Sequence, residues 1–164
     1  MSNELEFQHI YKENYQRVMS LCLGYVKGNE FLAKDLAQEV FVKVWQNLSH
    51  FREQSKISTW IYRITVNTCL QELRNKKYVD LKLDIENDTP SNPIETENRF
   101  EQMYNCINSL NAENKSIILL ELEAVPQNEI AEIIGISHNA IRTRIHRIKE
   151  QLSNCVKQWA ILIL

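Results

Sequence analysis

Glycine and proline are scarce in this chain, three of each among 164 residues. Apolar residues meanwhile recur at i, i+3 and i+4 over long stretches, and together these argue for an all-α protein. Long apolar runs are missing as well. The longest is the terminal AILIL, far too short to span a bilayer, so no membrane insertion is expected. Cysteine is sparse and dispersed: Cys22, Cys69, Cys106 and Cys155 form no C-x-x-C pair. The expectation is buried or idle thiols in a reducing cytosol, rather than a zinc site or a disulfide framework. Catalytic signatures are lacking too. There is no G-x-G-x-x-G, P-loop, H-E-x-x-H or serine-elbow pattern. His9, His50, His138 and His146 sit apart, with no clustered carboxylates. No catalytic residue, metal ligand or cofactor is expected. The N-terminal MSNELEFQHIYKENYQ is polar and mixed in charge, unlike a signal peptide, which points to a cytoplasmic protein.

What the chain does have is charge in blocks. The net charge is only −2, yet it averages opposed segments. From Phe51 to Tyr78, Arg52, Lys56, Arg63, Arg74, Lys76 and Lys77 stand against Glu53 and Glu72. From Asp80 to Glu101 seven acids stand against Lys82 and Arg99. From His138 to Lys149 come Arg142, Arg144, Arg147 and Lys149 with no acid at all. Two basic patches flank an acidic middle, and local charge governs steering more than the sum does.

The middle, DLKLDIENDTPSNPIETEN, holds two of the three prolines and no sustained periodicity. It reads as a flexible acidic linker. Before it, helices are expected over about 7–26, 31–48 and 58–77; after it, over about 95–109, 112–124, 127–134 and from 138 onward. The resulting layout is two small helical domains, 1–78 and 95–164, joined by a linker at 79–94.

PQNEIAEIIGISHNAIRTRIHRIKEQL has the form of a helix-turn-helix. Pro126 suits a helix start. Gly135 can end that helix in a left-handed turn, and Ser137 can cap the next. In the second helix Ile141, Ile145, Ile148 and Leu152 fall within about 60° of arc. The opposite face carries Asn139, Arg142, Thr143, His146 and Arg147, with Arg144 and Lys149 as flanks. Arginine forks guanine edges and asparagine can pair with adenine, so this face suits duplex DNA. An ordinary solvated helix face would interleave both charge signs.

A second surface suits a single strand. In STWIYRITVNTCLQELR, Trp60, Arg63, Asn67, Gln71 and Arg74 lie along one line. One aromatic, two arginines and two amides offer phosphate neutralisation plus a platform for an unstacked base. A lone tryptophan is more often core; it is the stripe that raises Trp60 above that reading.

The third surface poses a question. In DLAQEVFVKVW, Leu36, Ala37, Val40, Phe41 and Val44 share one helical face with Leu48, while Asp35, Gln38, Glu39 and Gln46 gather on the other. Val42 falls in the middle of the polar group. An apolar residue inside a polar ring is the usual anatomy of a contact centre.

AKDLAQEVFVKVW, ISTWIYRITVNTCLQELR and EIAEIIGISHNAIRTRIHRIKEQL, in this order and spacing, resemble the extracytoplasmic-function (ECF) class of bacterial RNA polymerase sigma factors. The resemblance covers nearly the whole chain apart from the linker and the last few residues. It implies a promoter-specificity subunit that binds core RNA polymerase, recognises the upstream promoter box and melts the downstream one. By position, Asp35, Gln38 and Glu39 resemble the contacts to the beta-prime clamp, extended by Val42 and Gln46; the beta subunit is a further implied partner. The loop from Arg52 through Lys56 to Ser58, with Trp60, resembles the melting and base-capture element. Arg63, Asn67 and Arg74 would hold the opened strand. Asn139, Arg142, Thr143, Arg144, His146 and Arg147 would meet the upstream box, and an anti-sigma factor is implied as a regulator. The acidic linker resembles the segment that threads the polymerase's RNA path. The family's recognition helix usually opens with a Gly-Thr pair, where this chain has Asn139-Ala140, so Asn139 stands as the substitute phosphate contact. CVKQWAILIL is more apolar than a sigma tail needs; extra helix packed on the second domain is favoured over a regulator contact. The alternative function is a two-domain helix-turn-helix regulator acting without polymerase, which leaves the Asp35 face and the Trp60 stripe without a role.

Overall fold

A computed structural model of the protein describes residues 2–75 and 95–163, with side chains over 2–75 and 99–158. Helix α1 (Ser2–Tyr25) buries Ile10, Val18, Leu21, Cys22 and Tyr25, a one-sided helical stripe. It stops where Lys27 and Gly28 turn to positive φ and the Gly28 N–H donates to the Leu23 carbonyl at 2.8 Å. Asn29 then caps α2 (Glu30–Asn47), its side-chain oxygen accepting from the Leu32 N–H at 3.0 Å. Leu36, Ala37, Val40, Phe41 and Val44 are buried along α2, as the periodicity predicts. After a short 3-10 turn at Leu48–His50, the loop through Arg52 leads into α3 (Ile57–Arg74).

Along α3 the buried side includes Thr59, Thr65 and Thr68 beside Ile61, Tyr62, Val66 and Cys69. Threonine is tolerated there because its hydroxyl is satisfied: Thr65 donates to the Ile61 carbonyl at 2.8 Å, and Thr68 accepts from Lys43 Nζ at 3.3 Å. The Cys22 and Cys69 sulfurs meet at 3.8 Å between α1 and α3. The contact with Cys22, together with burial, pushes the Cys69 thiol well above its usual range.

The C-terminal helices are α4 (Glu95–Asn108), α5 (Ala112–Leu122), α6 (Gln127–Ile134) and α7 (His138–Ile163). Asn111 caps α5 through the Asn114 N–H. Gly135, at φ 84°, closes α6 with its N–H on the Ala131 carbonyl. The Ser137 hydroxyl accepts from the Ala140 N–H to start α7. The helix-turn-helix is therefore built by the residues expected to build it. α7 continues as helix through the apolar tail to Ile163, where the side chains from Trp159 on, like the linker 79–94, lie outside the described residues.

The expectation of four idle thiols is corrected. Cys106 of α4 and Cys155 of α7 form a disulfide, with Cα atoms 5.9 Å apart. The two are 49 residues apart in sequence, so no local spacing signals the pair; only the packing of α4 on α7 creates it. Cys22 and Cys69 are free and buried.

The two helical modules share one hydrophobic cluster. Gly24 of α1 packs against Leu119 of α5. The Tyr25 hydroxyl bonds the Ser116 hydroxyl, and burial holds that phenol well above its usual range. Asn108 Nδ2 donates to the Gly24 carbonyl at 3.2 Å. At the other end of the seam α3 meets α6. The modules lie side by side.

Candidate polymerase and nucleic-acid interfaces

On α2, Asp35, Gln38, Val42 and Gln46 are exposed, while Glu39 is half-buried and pairs with Lys43 at 3.2 Å. Val42 is 47 % exposed. Its surroundings answer the question its position raises. Phe7, Tyr11 and Tyr15 of α1, one turn apart each, join Phe41 and Trp45 of α2 in an open groove of about 470 Å³, and Val42 forms part of its wall. The rings interlock: Phe7 on Trp45 at 5.1 Å and Tyr11 on Phe41 at 4.7 Å, both edge to face. Val42 is thus the polar-side rim of an aromatic groove. The α1 aromatics were not singled out from the sequence, although Phe7, Tyr11 and Tyr15 repeat at i, i+4 and i+8.

On α3, Trp60 is half-buried and its ring lies 5.1 Å from that of Phe51. It lines two shallow hollows, one of about 300 Å³ shared with Asn67 and Gln71, the other of about 230 Å³ shared with Arg52 and Arg63. Asn67, Gln71 and Arg74 are exposed along the same helix, Arg52 is exposed in the loop and Ser58 is half-buried. Lys56 and Arg63 differ from these in being engaged. Lys56 Nζ pairs with Glu129 of α6 at 2.8 Å, which raises the lysine's pKa. Arg63 donates to the Glu132 carbonyl at 3.2 Å.

On α7, Ile141, Ile145 and Ile148 are buried and Leu152 half-buried. Asn139, Arg142, Thr143, His146 and Arg147 are exposed on the opposite side. Thr143 donates to the Asn139 carbonyl at 3.1 Å, which ties its hydroxyl to the helix backbone. Arg144 is half-buried and pairs with Glu113 of α5 at 2.7 Å. A further apolar groove of about 460 Å³, with Met103, Ile118, Leu122 and Val156 in its lining, runs beside the disulfide and was not foreseen.

The chain's similarities now bear on these three surfaces. Residues 10–78 match the Sigma-70 region 2 family and residues 100–152 the Sigma-70 region 4 family. The ECF RNA polymerase sigma-E factor of Haemophilus influenzae is 32% identical over 157 residues, covering 86% of this chain and 82% of that one. The chain belongs to the ECF family of RNA polymerase sigma factors. The ECF sigma factor SigW of Bacillus subtilis is 28% identical and covers 87% of this chain and 83% of its own. Two solved structures share the fold. The sigma factor RpoE in complex with the anti-sigma factor NepR from Bartonella quintana has a TM-score of 0.70 at 17% identity, covering 93% of this chain and 97% of that one. CnrH in complex with the cytosolic domain of CnrY gives 0.72 at 17%, covering 94% and 90%. As an ECF sigma factor, the protein is the subunit that directs RNA polymerase to promoters, and the regulator acting without polymerase is not favoured.

Proposed function

We propose that the labour of initiation is divided among the three surfaces. The α2 face of Asp35, Gln38, Glu39, Val42 and Gln46 docks on the beta-prime clamp of core polymerase. The loop from Arg52 to Ser58 and the α3 line of Trp60, Arg63, Asn67 and Arg74 open the downstream box and hold the strand. The outer face of α7 reads the upstream box. Residues 1–78 and 95–164 are then the two working units and 79–94 their join.

The observation that carries this reading is the α7 face. Four potential base or phosphate partners (Asn139, Arg142, His146, Arg147) are exposed together on a helix held by a buried isoleucine stripe. RpoE, which shares the fold, was solved in complex with an anti-sigma factor, which supports an anti-sigma factor as this chain's regulator too. Among the described residues no helix is long and apolar enough to cross a membrane; work alongside core polymerase makes the protein cytoplasmic. The chain performs no catalysis of its own; phosphodiester chemistry belongs to the polymerase.

In vitro transcription with core polymerase on a pool of genomic promoter fragments tests the proposal. Transcripts that start from a common pair of boxes and vanish without the protein are expected. Duplex binding without polymerase association would return the protein to the alternative regulator.

A further inference from the structure

Glu129 of α6 is the one buried acid among the described residues, 9 % exposed, and both its carboxylate oxygens are taken at the N-terminal end of α3, by its cap and its first turn. Oε1 accepts from Lys56 Nζ at 2.8 Å and Oε2 from the Thr59 hydroxyl at 3.1 Å. One turn further along α3, the Arg63 guanidinium donates to the Glu132 carbonyl at 3.2 Å. Lys56 stands at the N-cap of α3 with extended backbone, and Thr59 and Arg63 follow one turn apart on the helix itself. Three donors therefore face a carboxylate and a carbonyl supplied by the other module.

Oxygen acceptors, one of them anionic, facing cationic and hydroxyl donors are the kind of partner a sugar-phosphate backbone also presents. We propose that α6 is an internal stand-in for the opened strand. Glu129 and the Glu132 carbonyl occupy the α3 donors, so the closed chain presents its α7 reading face while withholding part of its strand-holding face. This rests on the reading of α3 as the strand-holding helix.

Plain packing does not account for the arrangement as well. Burying the Glu129 carboxylate carries a desolvation cost that apolar residues of the same volume would not. The Lys56 side chain is also 74% exposed, so its half of the contact is solvent-screened and easily exchanged. The apolar part of the seam, at Gly24 and Leu119, lies on α1 and α5 and needs no charge. A weak polar clasp beside an apolar seam suits an element that must be displaced. Strand and α6 compete for the same donors, and the apparent affinity for strand scales with the fraction of chains in which α6 has moved away.

Fluorescence anisotropy of a short, mixed-sequence single-stranded DNA oligonucleotide, titrated with the full chain, tests this. Glu129→Gln should tighten binding about five- to tenfold. Glu132→Gln removes the same charge from the same helix but keeps the carbonyl, and should leave affinity near wild type. Equal tightening by both would reduce the effect to general charge and overturn the proposal. So would an unchanged Glu129→Gln, or no binding by any variant, with native thermal melts recorded for each. Trp60→Ala in the Glu129→Gln background separates the two layers. Loss of binding there keeps α3 as the strand site whatever the clasp does; unchanged binding would remove α3 from that role.

Discussion

Gly24 of α1 lies so close to the Leu119 side chain of α5 that a Cβ at position 24 would overlap it. The close approach joins the two modules, and any side chain at position 24 would have to displace the Leu119 methyls. Gly24→Val should therefore wedge the seam open without disturbing either module's own helices. Overpacking of this kind costs about 1–3 kcal/mol. Small-angle scattering should report a larger radius of gyration with unchanged helical circular dichroism. An unaltered radius would mean that Leu119 yields and the seam tolerates the added volume.

The Cys106–Cys155 disulfide closes 49 residues of chain. On the chain-entropy account a loop of that size contributes about 4 kcal/mol by constraining the unfolded state. Cys155→Ser should lower the denaturation midpoint under oxidising conditions and match wild type once reductant is added. Alkylation in denaturant without reductant should modify Cys22 and Cys69 alone, and all four cysteines with it. Four modified thiols in the oxidised sample would show the pair to be open.

How far the sequence could be read depends on the distance between partners. The buried face of α2, the α7 isoleucine stripe and the Gly135–Ser137 turn are local patterns within a few residues, and periodicity reveals them. Val42 was visible as an anomaly, but its groove was not, because Phe7, Tyr11 and Tyr15 come from another helix. Thr59, Thr65 and Thr68 looked polar and proved buried, since short-range and cross-helix hydrogen bonds satisfy their hydroxyls. Arg144 belonged to the basic face by count, yet it pairs with Glu113. Glu129 gave no signal at all: its partner Lys56 is 73 residues away.

Docking is expected to depend on the Val42 rim. Val42→Asp should weaken binding to core polymerase by about 2–5 kcal/mol, because a contact centre would then bury an unpaired carboxylate. The side chain is half-exposed in the free chain, so folding should be little affected. A polymerase pull-down titration reads the affinity and circular dichroism the fold. Unchanged affinity would remove Val42 from the interface and leave the aromatic groove without its proposed partner.

Sequence reading should divide between two arginines of α7. Arg142 and Arg147 are both exposed, more than one turn apart, on the side opposite Ile141, Ile145 and Ile148. One can reach a base edge while the other holds phosphate. If Arg147 forks a guanine, Arg147→Ala should cost about 1–3 kcal/mol on the preferred promoter and relax the choice at one base position. Arg142→Ala should instead weaken all sequences about equally and reduce the salt dependence by roughly one counterion. His146, exposed between them, should tune the contact rather than create it. Arg144 should matter least, since its guanidinium is already held by Glu113 at 2.7 Å. A randomised upstream box, transcribed by each variant with core polymerase, measures all four at once. An Arg147→Ala profile with unaltered base preferences would make Arg147 a phosphate clamp and pass the reading role to another residue of the same face.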